Sequence, residues 1–296
     1  MKREVLCYEA FSTRPGKGNP AGVCFDSDNL SDEMMQAIAK EAGYRETCFL
    51  VGSDNPKADY GLRYFKPQYE VDLCGHGTIA SLIALAERLN WKEDRSLSIE
   101  TRAGLLECNY KAERKEIVMQ QANARFDSFE GSVKDLMNAI ELPEEAYDDS
   151  YPIVYGNTGL WTLVTPIKKL AYFKQMQPHN DDFQYILKKG PFTSVHLFCQ
   201  ETIYEDCLLH ARHFSASGGG SPEDIVTGTA NGVLGAYYIN YMRPELNEAE
   251  FLIEQGQDMG KDGFCRTFAK KEEDGTISVK IAGRGIYSEK RIIEIR

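Results

Sequence analysis

The 296-residue sequence lacks an excess of basic residues, a long apolar run and a C-x-x-C pair, and each absence excludes a class of protein. With 34 Lys and Arg against 45 Asp and Glu, the net charge of −11 argues against a nucleic acid or an anionic membrane surface as partner. No apolar run approaches the ~20 residues of a membrane span, and the N-terminus has no signal-peptide core. We therefore expect a soluble, cytoplasmic protein.

Metal and disulfide signatures are also missing. The eight cysteines stand mostly in apolar, strand-like segments, which is typical of buried reduced thiols rather than of disulfides or structural zinc. The five histidines form no H-E-x-x-H motif and have no clustered carboxylate partner. We expect neither a metal nor a cofactor.

Two short glycine-containing turns are the most informative feature that is present. Asp72-Leu-Cys-Gly-His-Gly-Thr78 and Asp224-Ile-Val-Thr-Gly-Thr-Ala-Asn-Gly232 each open an apolar, helix-like run in a different half of the chain. Unpaired N–H groups and the positive end of the helix dipole favour an anion at such a position. The pair predicts one site, shared between two halves, for a small carboxylate.

The order of predicted elements is similar in the two halves. Gly75 and Gly228 lie 153 residues apart, and each precedes an apolar helix. This recurrence favours duplication into two domains, the first at 1–122 joined by a final strand at 286–296, and the second at 123–285.

Individual elements follow from periodicity and caps. Ser31 as N-cap and Gly43 as stop predict a helix over 32–42. Further helices are predicted at 78–89, 132–140, 183–188 and 232–241, and strands at 5–11, 21–25, 46–51, 60–65, 97–101, 105–111, 116–120, 160–165, 194–199 and 208–214.

Two other glycine clusters do not support nucleotide binding. Gly16-Lys-Gly-Asn-Pro-Ala21 matches a dinucleotide fingerprint only loosely, since a strand rather than a helix follows it, so we interpret it as a hairpin loop. Gly218-Gly-Gly220 lacks the Lys-Ser/Thr ending of a P-loop, and we interpret it as a mobile loop near the shared site.

Four motifs together resemble the phenazine-biosynthesis (PhzF-like) isomerase family, whose fold is similar to that of diaminopimelate epimerase. They are Gly18-Asn-Pro20, Arg45-Glu-Thr-Cys-Phe49, Glu70-Val-Asp-Leu-Cys-Gly-His76 and Pro222-Glu-Asp-Ile-Val-Thr-Gly-Thr-Ala-Asn-Gly232. The resemblance implies an α+β fold of two pseudo-symmetric domains, each a curved, mostly antiparallel, barrel-like sheet around a central helix. It also implies an active site in the cleft between the domains, and a homodimer.

Residue by residue, the resemblance implies that Glu46 is the catalytic acid/base, with His76 and Asp224 as catalytic polar partners around the substrate. The other implied positions bind the substrate, mainly through the backbone of the two turns. They are Asn19, Gly75, Gly77, Thr227, Gly228 and Thr229.

Four positions depart from the family's common pattern. Arg45 replaces a small residue, Gly77 a frequent Pro or Ala, Ile225 a frequent Pro and Thr229 a frequent Ser. These departures keep the chemistry and leave the substrate open.

Each candidate residue also has a purely structural interpretation. As a catalytic residue, Glu46 needs a pKa near working pH so that it can both accept and donate a proton. Burial beside residues 47–49 would raise its pKa towards that range. As a structural residue, Glu46 would be a strand-end glutamate that faces water. His76 and Asp224 could instead cap the helices that follow them.

Cys74 matches a thiol that diaminopimelate epimerases use to invert a stereocentre. The second thiol of such an enzyme is missing, because Thr227 stands at the matching point of the second turn. A two-cysteine epimerase is therefore disfavoured, and Cys74 is interpreted as a buried small residue.

A lone acid/base suits a proton shift on one face of a substrate. The expected function is a cofactor-independent isomerase of a small carboxylate, similar to trans-2,3-dihydro-3-hydroxyanthranilate isomerase. An epimerase or racemase of an amino or hydroxy acid, and a non-catalytic metabolite-binding protein, stay open as alternatives.

Overall fold

The structure, a computed structural model, describes residues 2–190, 192–216 and 221–295. The glycine cluster Gly218-Gly-Gly220, interpreted above as a mobile loop, lies outside these residues. The chain divides into two compact units, one of residues 1–120 and 282–296 and the other of residues 121–281.

The first unit contains two helices, α1 (Asp32–Ala42) and α2 (Gly75–Arg88). The sequence prediction for α1 is confirmed together with both of its ends, since the Ser31 side chain accepts from the Met34 amide and Gly43 adopts a φ of 70°. The strands of this unit are β1 (Lys2–Ala10), β2 (Asn19–Cys24), β3 (Thr47–Val51), β4 (Tyr60–Phe65), β5 (Glu70–Val71), β6 (Arg95–Thr101), β7 (Gly104–Lys111) and β8 (Glu116–Gln120).

The second unit contains four α-helices in its described residues, α3 (Val133–Asn138), α4 (Leu170–Phe173), α5 (Phe183–Ile186) and α6 (Gly228–Tyr237), and a π-helix (Tyr238–Met242) continues α6. Its strands are β9 (Arg125–Ser128), β10 (Val154–Asn157), β11 (Trp161–Pro166), β12 (Ser194–Cys199), β13 (Cys207–Ser215), β14 (Glu223–Asp224), β15 (Glu248–Gln255) and β16 (Gly263–Lys271). A final strand, β17 (Ile277–Glu294), begins in this unit and ends in the first.

The two units repeat one pattern of strand pairing. In the first, β1–β2 is antiparallel, β2–β3 parallel, β3–β4 and β4–β5 antiparallel, β4–β6 parallel and β6–β7 antiparallel. The second follows the same sequence from β10 to β16. In the first unit, β17 pairs with both β1 and β8, so the ladder closes into a barrel-like sheet. The expected α+β fold with two pseudo-symmetric domains is confirmed.

A helix lies at the centre of each sheet. The residues of α2 from His76 to Ala86 are all buried, and the helix packs against β1, β2, β3 and β8. Helix α6 is almost as completely buried and packs against β10, β11, β15 and β16. This burial explains why both helices are apolar on every side. In the described ranges, no helix is both long enough and apolar enough to cross a membrane.

Both central helices begin earlier than their sequences predict. Helix α2 begins at Gly75 rather than at residue 78, and α6 at Gly228 rather than at residue 232. Glycine weakens a helix interior, but it costs less in the first turn, where the amides have no intrahelical acceptor anyway. The glycine turns are therefore parts of the helices themselves.

Candidate active site

Glu46 lies immediately before β3 and is only 4% exposed. Its Oε2 atom lies 3.3 Å from Nε2 of His76, which is the second residue of α2. Within the described part of the chain, this oxygen receives no hydrogen bond of good geometry. The interpretation of Glu46 as a strand-end residue facing water is therefore wrong, because the carboxylate is buried in an ion pair.

The other oxygen of Glu46 faces two cations. Oε1 lies 3.8 Å from Nε of Arg45 and 3.9 Å from Nζ of Lys66. Sequence reasoning did not find Lys66, although strand register explains its place. Thr47 pairs with Phe65 across β3 and β4, so the next position along each strand brings Glu46 opposite Lys66.

The pKa of Glu46 corrects the sequence prediction. Burial raises the pKa of this carboxyl, but His76, Arg45 and Lys66 outweigh burial and hold it below its ordinary value of 4.5. The prediction of a raised pKa considered only the apolar neighbours along the chain. The fold brings three cations to the same carboxylate, and they reverse the direction of its pKa shift.

His76 carries the complementary charge. Burial lowers the pKa of this imidazole, yet the Cys74 thiol and the Glu46 carboxylate together raise it well above 6.5. Both directions favour an imidazolium beside a carboxylate. An ionised Glu46 is in the correct state to act as a base.

Cys74, not His76, caps helix α2. The Cys74 thiol is buried, accepts from the Gly77 amide at 3.4 Å, and lies 3.6 Å from Nδ1 of His76. Burial raises the pKa of this thiol. The interpretation of Cys74 as a buried small residue is confirmed, and all eight cysteines are buried with free thiols.

The first amides of α2 are open for an anion. Among the described residues, no acceptor receives the N–H groups of Gly75 and His76, whereas the Gly77 amide already donates to the Cys74 thiol. Of the three backbone groups in this turn, at residues 75 to 77, two are therefore available for a carboxylate. They stand at the positive end of the helix dipole.

The two glycines of this turn are required for different reasons. A Cβ on Gly77 would lie 2.5 Å from Sγ of Cys48 and 3.0 Å from Sγ of Cys74, so packing requires glycine there. A Cβ on Gly75 would meet only Cε of Met119, at an ordinary 3.6 Å. Packing therefore explains Gly77 and its departure from the family pattern, whereas Gly75 leaves space beside the open amides.

The second turn has its own polar network. Asp224 ends β14 and is 9% exposed, and its Oδ2 accepts the Thr227 hydroxyl at 2.8 Å. Gln255 donates to the Asp224 carbonyl oxygen and accepts from the Thr227 amide. The N-cap of α6 is Thr227, so the interpretation of Asp224 as that cap is wrong.

The remaining predicted substrate-binding residues stand at the ends of elements. Asn19, at the start of β2, is only 2% exposed. Gly228 is the first residue of α6, and the Thr229 carbonyl oxygen accepts from the Thr158 hydroxyl at 2.9 Å. Their contact with a substrate stays a prediction.

Matching Arg–Glu pairs hold the short strand before each glycine turn. Arg63 donates from Nε and Nη2 to the two oxygens of Glu70, both at 2.8 Å. Arg212 contacts Glu223 in the same two-pronged way, also at 2.8 Å. Such paired contacts fix orientation as well as distance. No sequence motif marks these two arginines, although the glutamate of each pair stands in a glycine-turn motif.

One cluster has the donor types of a metal site. Ligand atoms of Glu46, Cys74 and His76 all lie within 4.8 Å of one another. Arg45 and Lys66, each within 4 Å of the Glu46 carboxylate, oppose the addition of a divalent cation. The expectation of an enzyme without metal or cofactor stays a prediction.

Comparison with known proteins identifies the family. The model of the phenazine biosynthesis-like proteins, PhzC-PhzF, matches residues 8–291. The chain belongs to the PhzF family. A curated relative of this PhzF-family chain, the uncharacterized isomerase YfhB of Bacillus subtilis (strain 168), is 45% identical over 294 residues and covers 99% of both chains. This relative supports the isomerase class expected from the sequence.

Solved structures support the same assignment. A PhzF-family phenazine biosynthesis protein of Bacillus anthracis matches with a TM-score of 0.94 and 42% identity, over 100% of both chains. A hydroxyproline epimerase of Agrobacterium vitis matches with a TM-score of 0.63 and 11% identity, over 99% of this chain and 91% of its own. The second match shows a shared fold alone.

Proposed function

We propose that this PhzF-family isomerase moves a proton between carbons of a small carboxylate substrate, with Glu46 as its single acid/base. The observation that carries the proposal is the buried Glu46–His76 ion pair beside the open amides of α2. A buried carboxylate with one oxygen free of good hydrogen bonds is a group that can accept a proton.

In the proposed cycle, the amides of Gly75 and His76 bind the substrate carboxylate. The ionised Glu46 then removes a proton from a carbon and becomes neutral. The His76 imidazolium stays beside it and stabilises negative charge that develops on the substrate. After this proton exchanges with solvent, Glu46 delivers a proton to another carbon on the same face, so its own protonation state is restored.

The substrate class is proposed from the resemblance. A cyclic dihydro-hydroxy amino acid similar to trans-2,3-dihydro-3-hydroxyanthranilate has both the carboxylate and an allylic carbon-bound proton. The roles of Asp224, Asn19, Thr227, Gly228 and Thr229 towards the same substrate are part of this proposal, as are the homodimer and the cytoplasmic location.

Proton exchange in D₂O tests the role of Glu46. Mass spectrometry and NMR would follow small cyclic and acyclic amino and hydroxy acids, including the phenazine precursor. We expect the wild type to incorporate deuterium with a shifted double bond. Glu46→Gln should bind substrate nearly as well and lose about 10²-fold or more in turnover, because a positioned acid/base contributes about that much.

A matched control is Glu41→Gln, which removes an exposed carboxylate in the same unit and should leave exchange unchanged. Exchange that survives in Glu46→Gln would refute the assignment. Deuterium at one carbon with loss of chirality would instead favour the epimerase, and binding without exchange would favour the metabolite-binding protein.

A further inference from the structure

A row of three buried, titratable side chains crosses the second unit. His196 pairs with His213 across β12 and β13, and His213 pairs with Asp224 across β13 and β14. Residues that lie directly opposite one another on neighbouring strands project to the same face of a sheet. The carboxylate proposed to contact the substrate therefore ends a row of two imidazoles to which the proposed cycle gives no role.

Two backbone groups orient the side chain of Gln255. This fully buried residue ends β15, and its Oε1 accepts from the Thr227 amide at 3.2 Å. Its Nε2 donates to the Asp224 carbonyl oxygen at 3.0 Å. A backbone N–H can only donate and a carbonyl oxygen can only accept, so both contacts require the same orientation of the Gln255 amide. Gln255 thereby joins the end of β14 to the N-cap of α6.

The orientation of Gln255 determines that of Asn231, a fully buried residue of α6. Nδ2 of Asn231 donates to the same Oε1 of Gln255 at 2.9 Å, so Oδ1 is the atom that faces His196. Nε2 of His196 lies 3.3 Å from this oxygen. Because an amide oxygen only accepts, Nε2 of His196 carries a proton.

The environment of His196 favours its neutral form. Burial and the neighbouring His213 lower the pKa of His196 well below 6.5, although Asn231 and Asp224 act in the opposite direction. A neutral imidazole with its proton on Nε2 has a lone pair on Nδ1. Nδ1 of His213 lies 3.3 Å from that lone pair, so His213 is the donor in this contact.

The chain of hydrogen bonds ends on the carboxylate of Asp224. Nε2 of Gln255 also donates to the Thr227 hydroxyl at 3.3 Å, and that hydroxyl donates to Oδ2 of Asp224 at 2.8 Å. Every link from His213 to Asp224 therefore donates in the same direction. Hydrogen bonds aligned in this way polarise one another, which strengthens the chain in a buried region.

We propose that Gln255, Asn231 and His196 are positioning residues, which together hold the carboxylate at the end of β14 and the first turn of α6 in one arrangement. His196 is neutral with its proton on Nε2, and His213 donates to it from Nδ1. The inference deepens the proposed function, since it rests on the role of Asp224 towards the substrate. A displacement of about 1 Å can cost about 10²-fold in rate, so these residues affect turnover through Asp224.

NMR of the free protein tests the assigned protons. Long-range ¹H–¹⁵N correlation spectra of histidine-labelled protein show which ring nitrogens carry a proton. We expect His196 to have a proton on Nε2 and none on Nδ1 from about pH 5 to 8, where an ordinary histidine changes its charge.

Asn231→Asp keeps the shape of the side chain and replaces its amide with a carboxylate. A carboxylate beside Nε2 favours the charged form of His196, so both ring nitrogens should become protonated within that pH range. Asn138→Asp adds the same charge at an exposed position of the same unit and should leave the His196 spectrum unchanged.

Gln255→Glu tests the other end of the chain. An ionised glutamate still accepts from the Thr227 amide and from Asn231, but it cannot donate to the Asp224 carbonyl oxygen or the Thr227 hydroxyl. We expect kcat for proton exchange to fall about tenfold or more. The His196 spectrum shows whether the network stays folded, because Asn231 keeps its acceptor.

Gln257→Glu is the matched control for this variant. It makes the same substitution two residues further along the chain, where the Gln257 amide donates to the Gly263 carbonyl oxygen, and it should retain the wild-type kcat.

A wild-type His196 with its proton on Nδ1, or with both nitrogens protonated across that pH range, would overturn the proposal. Wild-type kcat in Gln255→Glu would do the same. The NMR spectra need no substrate, so exchange that persists in Glu46→Gln would refute the proposed function and leave the assigned protons standing.

Discussion

Among single residues, Glu46 shows how the pKa of a carboxyl group depends on the side chains that lie near it in space. Burial alone would favour its protonated form, and three cations reverse that preference. His76 is the closest of the three, at 3.3 Å. The positive charge of His76 should therefore affect how kcat/KM depends on pH.

The acid limb of kcat/KM should lie below pH 4.5, because this parameter reports the free protein, in which the pKa of Glu46 is lowered. His76→Gln removes the nearest positive charge and should move this limb to higher pH. Proton exchange rates measured across pH for both proteins check the shift. A limb at the same pH in both would show that another group controls it.

A second buried charge cluster concerns stability rather than catalysis. His210 is fully buried, with Nδ1 2.7 Å from Glu254 and Nε2 3.1 Å from Asp258. Burial lowers the pKa of His210, but the two carboxylates outweigh it and the net shift is upward. The pKa of Asp258 is correspondingly lowered, since His210 outweighs the effect of burial.

The raised pKa of His210 predicts a loss of stability at alkaline pH. A histidine whose pKa rises on folding stabilises the folded state, and this stabilisation is fully present below the unfolded-state pKa of 6.5. The stabilisation is lost as the pH rises through the folded-state pKa. Thermal unfolding of the wild type should show this decline above pH 6.5. His210→Gln should be destabilised by about 3 kcal/mol at pH 6 and should lack that part of the decline. An identical decline in both proteins would contradict the assignment.

At the scale of elements, the turn that opens α2 combines a packing requirement with a binding requirement. The Cys48 thiol occupies the space that a side chain at position 77 would need. Position 75 has space for a methyl group and faces the open amides. Two alanine substitutions separate these requirements.

Gly77→Ala should destabilise the protein by about 1–3 kcal/mol through overpacking, and Cys48→Ala in the same chain should recover most of the loss. Urea unfolding of the single and double variants measures both effects. Additive losses would show that the two side chains do not compete for space.

Gly75→Ala should leave the unfolding free energy within about 0.5 kcal/mol of wild type, because its Cβ meets no close atom. It should weaken carboxylate binding about tenfold or more by crowding the amides. Calorimetry with succinamate measures the second effect. Unchanged affinity would place the carboxylate elsewhere.

Elements with strong local signals were predictable, and short ones were not. The boundaries of β4, β8 and β12 match the predictions from alternation and flanking turns. β5 and β14 have only two residues each, which is too short for any periodicity. They exist because the neighbouring strand and an Arg–Glu pair hold them.

At the scale of the whole molecule, the chain returns to its first unit at the end. β17 pairs with β1 from Lys2↔Glu294 to Ala10↔Gly285. Without this strand, β1 would lose one of its two neighbours and the barrel-like sheet would open. The first unit therefore depends on the last residues of the chain.

A chain truncated after residue 285 should lose hydrogen-exchange protection throughout residues 1–120 and retain it in residues 121–281. Ile292→Thr, an exchange on the exposed face of the same strand, is the control and should keep both units protected. Hydrogen-exchange mass spectrometry distinguishes the outcomes. Retained protection in residues 1–120 would show that β17 is dispensable for this unit.

Charge also differs between the molecule and its candidate site. The chain carries a net charge of −11, yet Arg45, Lys66 and His76 lie within 4 Å of the Glu46 carboxylate. The proposed carboxylate substrate would be attracted by these side chains at short range while the overall field repels it. Screening by salt reduces the long-range repulsion more than the local attraction.

Local signals in the sequence were sufficient to predict the caps of α1 and the strands β4, β8 and β12, and contiguous motifs pointed to Glu46, His76 and the two glycine turns. The direction of the pKa shift at Glu46 came from the fold instead. Lys66 is 20 positions from Glu46 and reaches it through strand pairing, which no local pattern encodes. A pKa depends on charges that are near in space rather than near in sequence, so the downward shift at Glu46 could be found only from the fold.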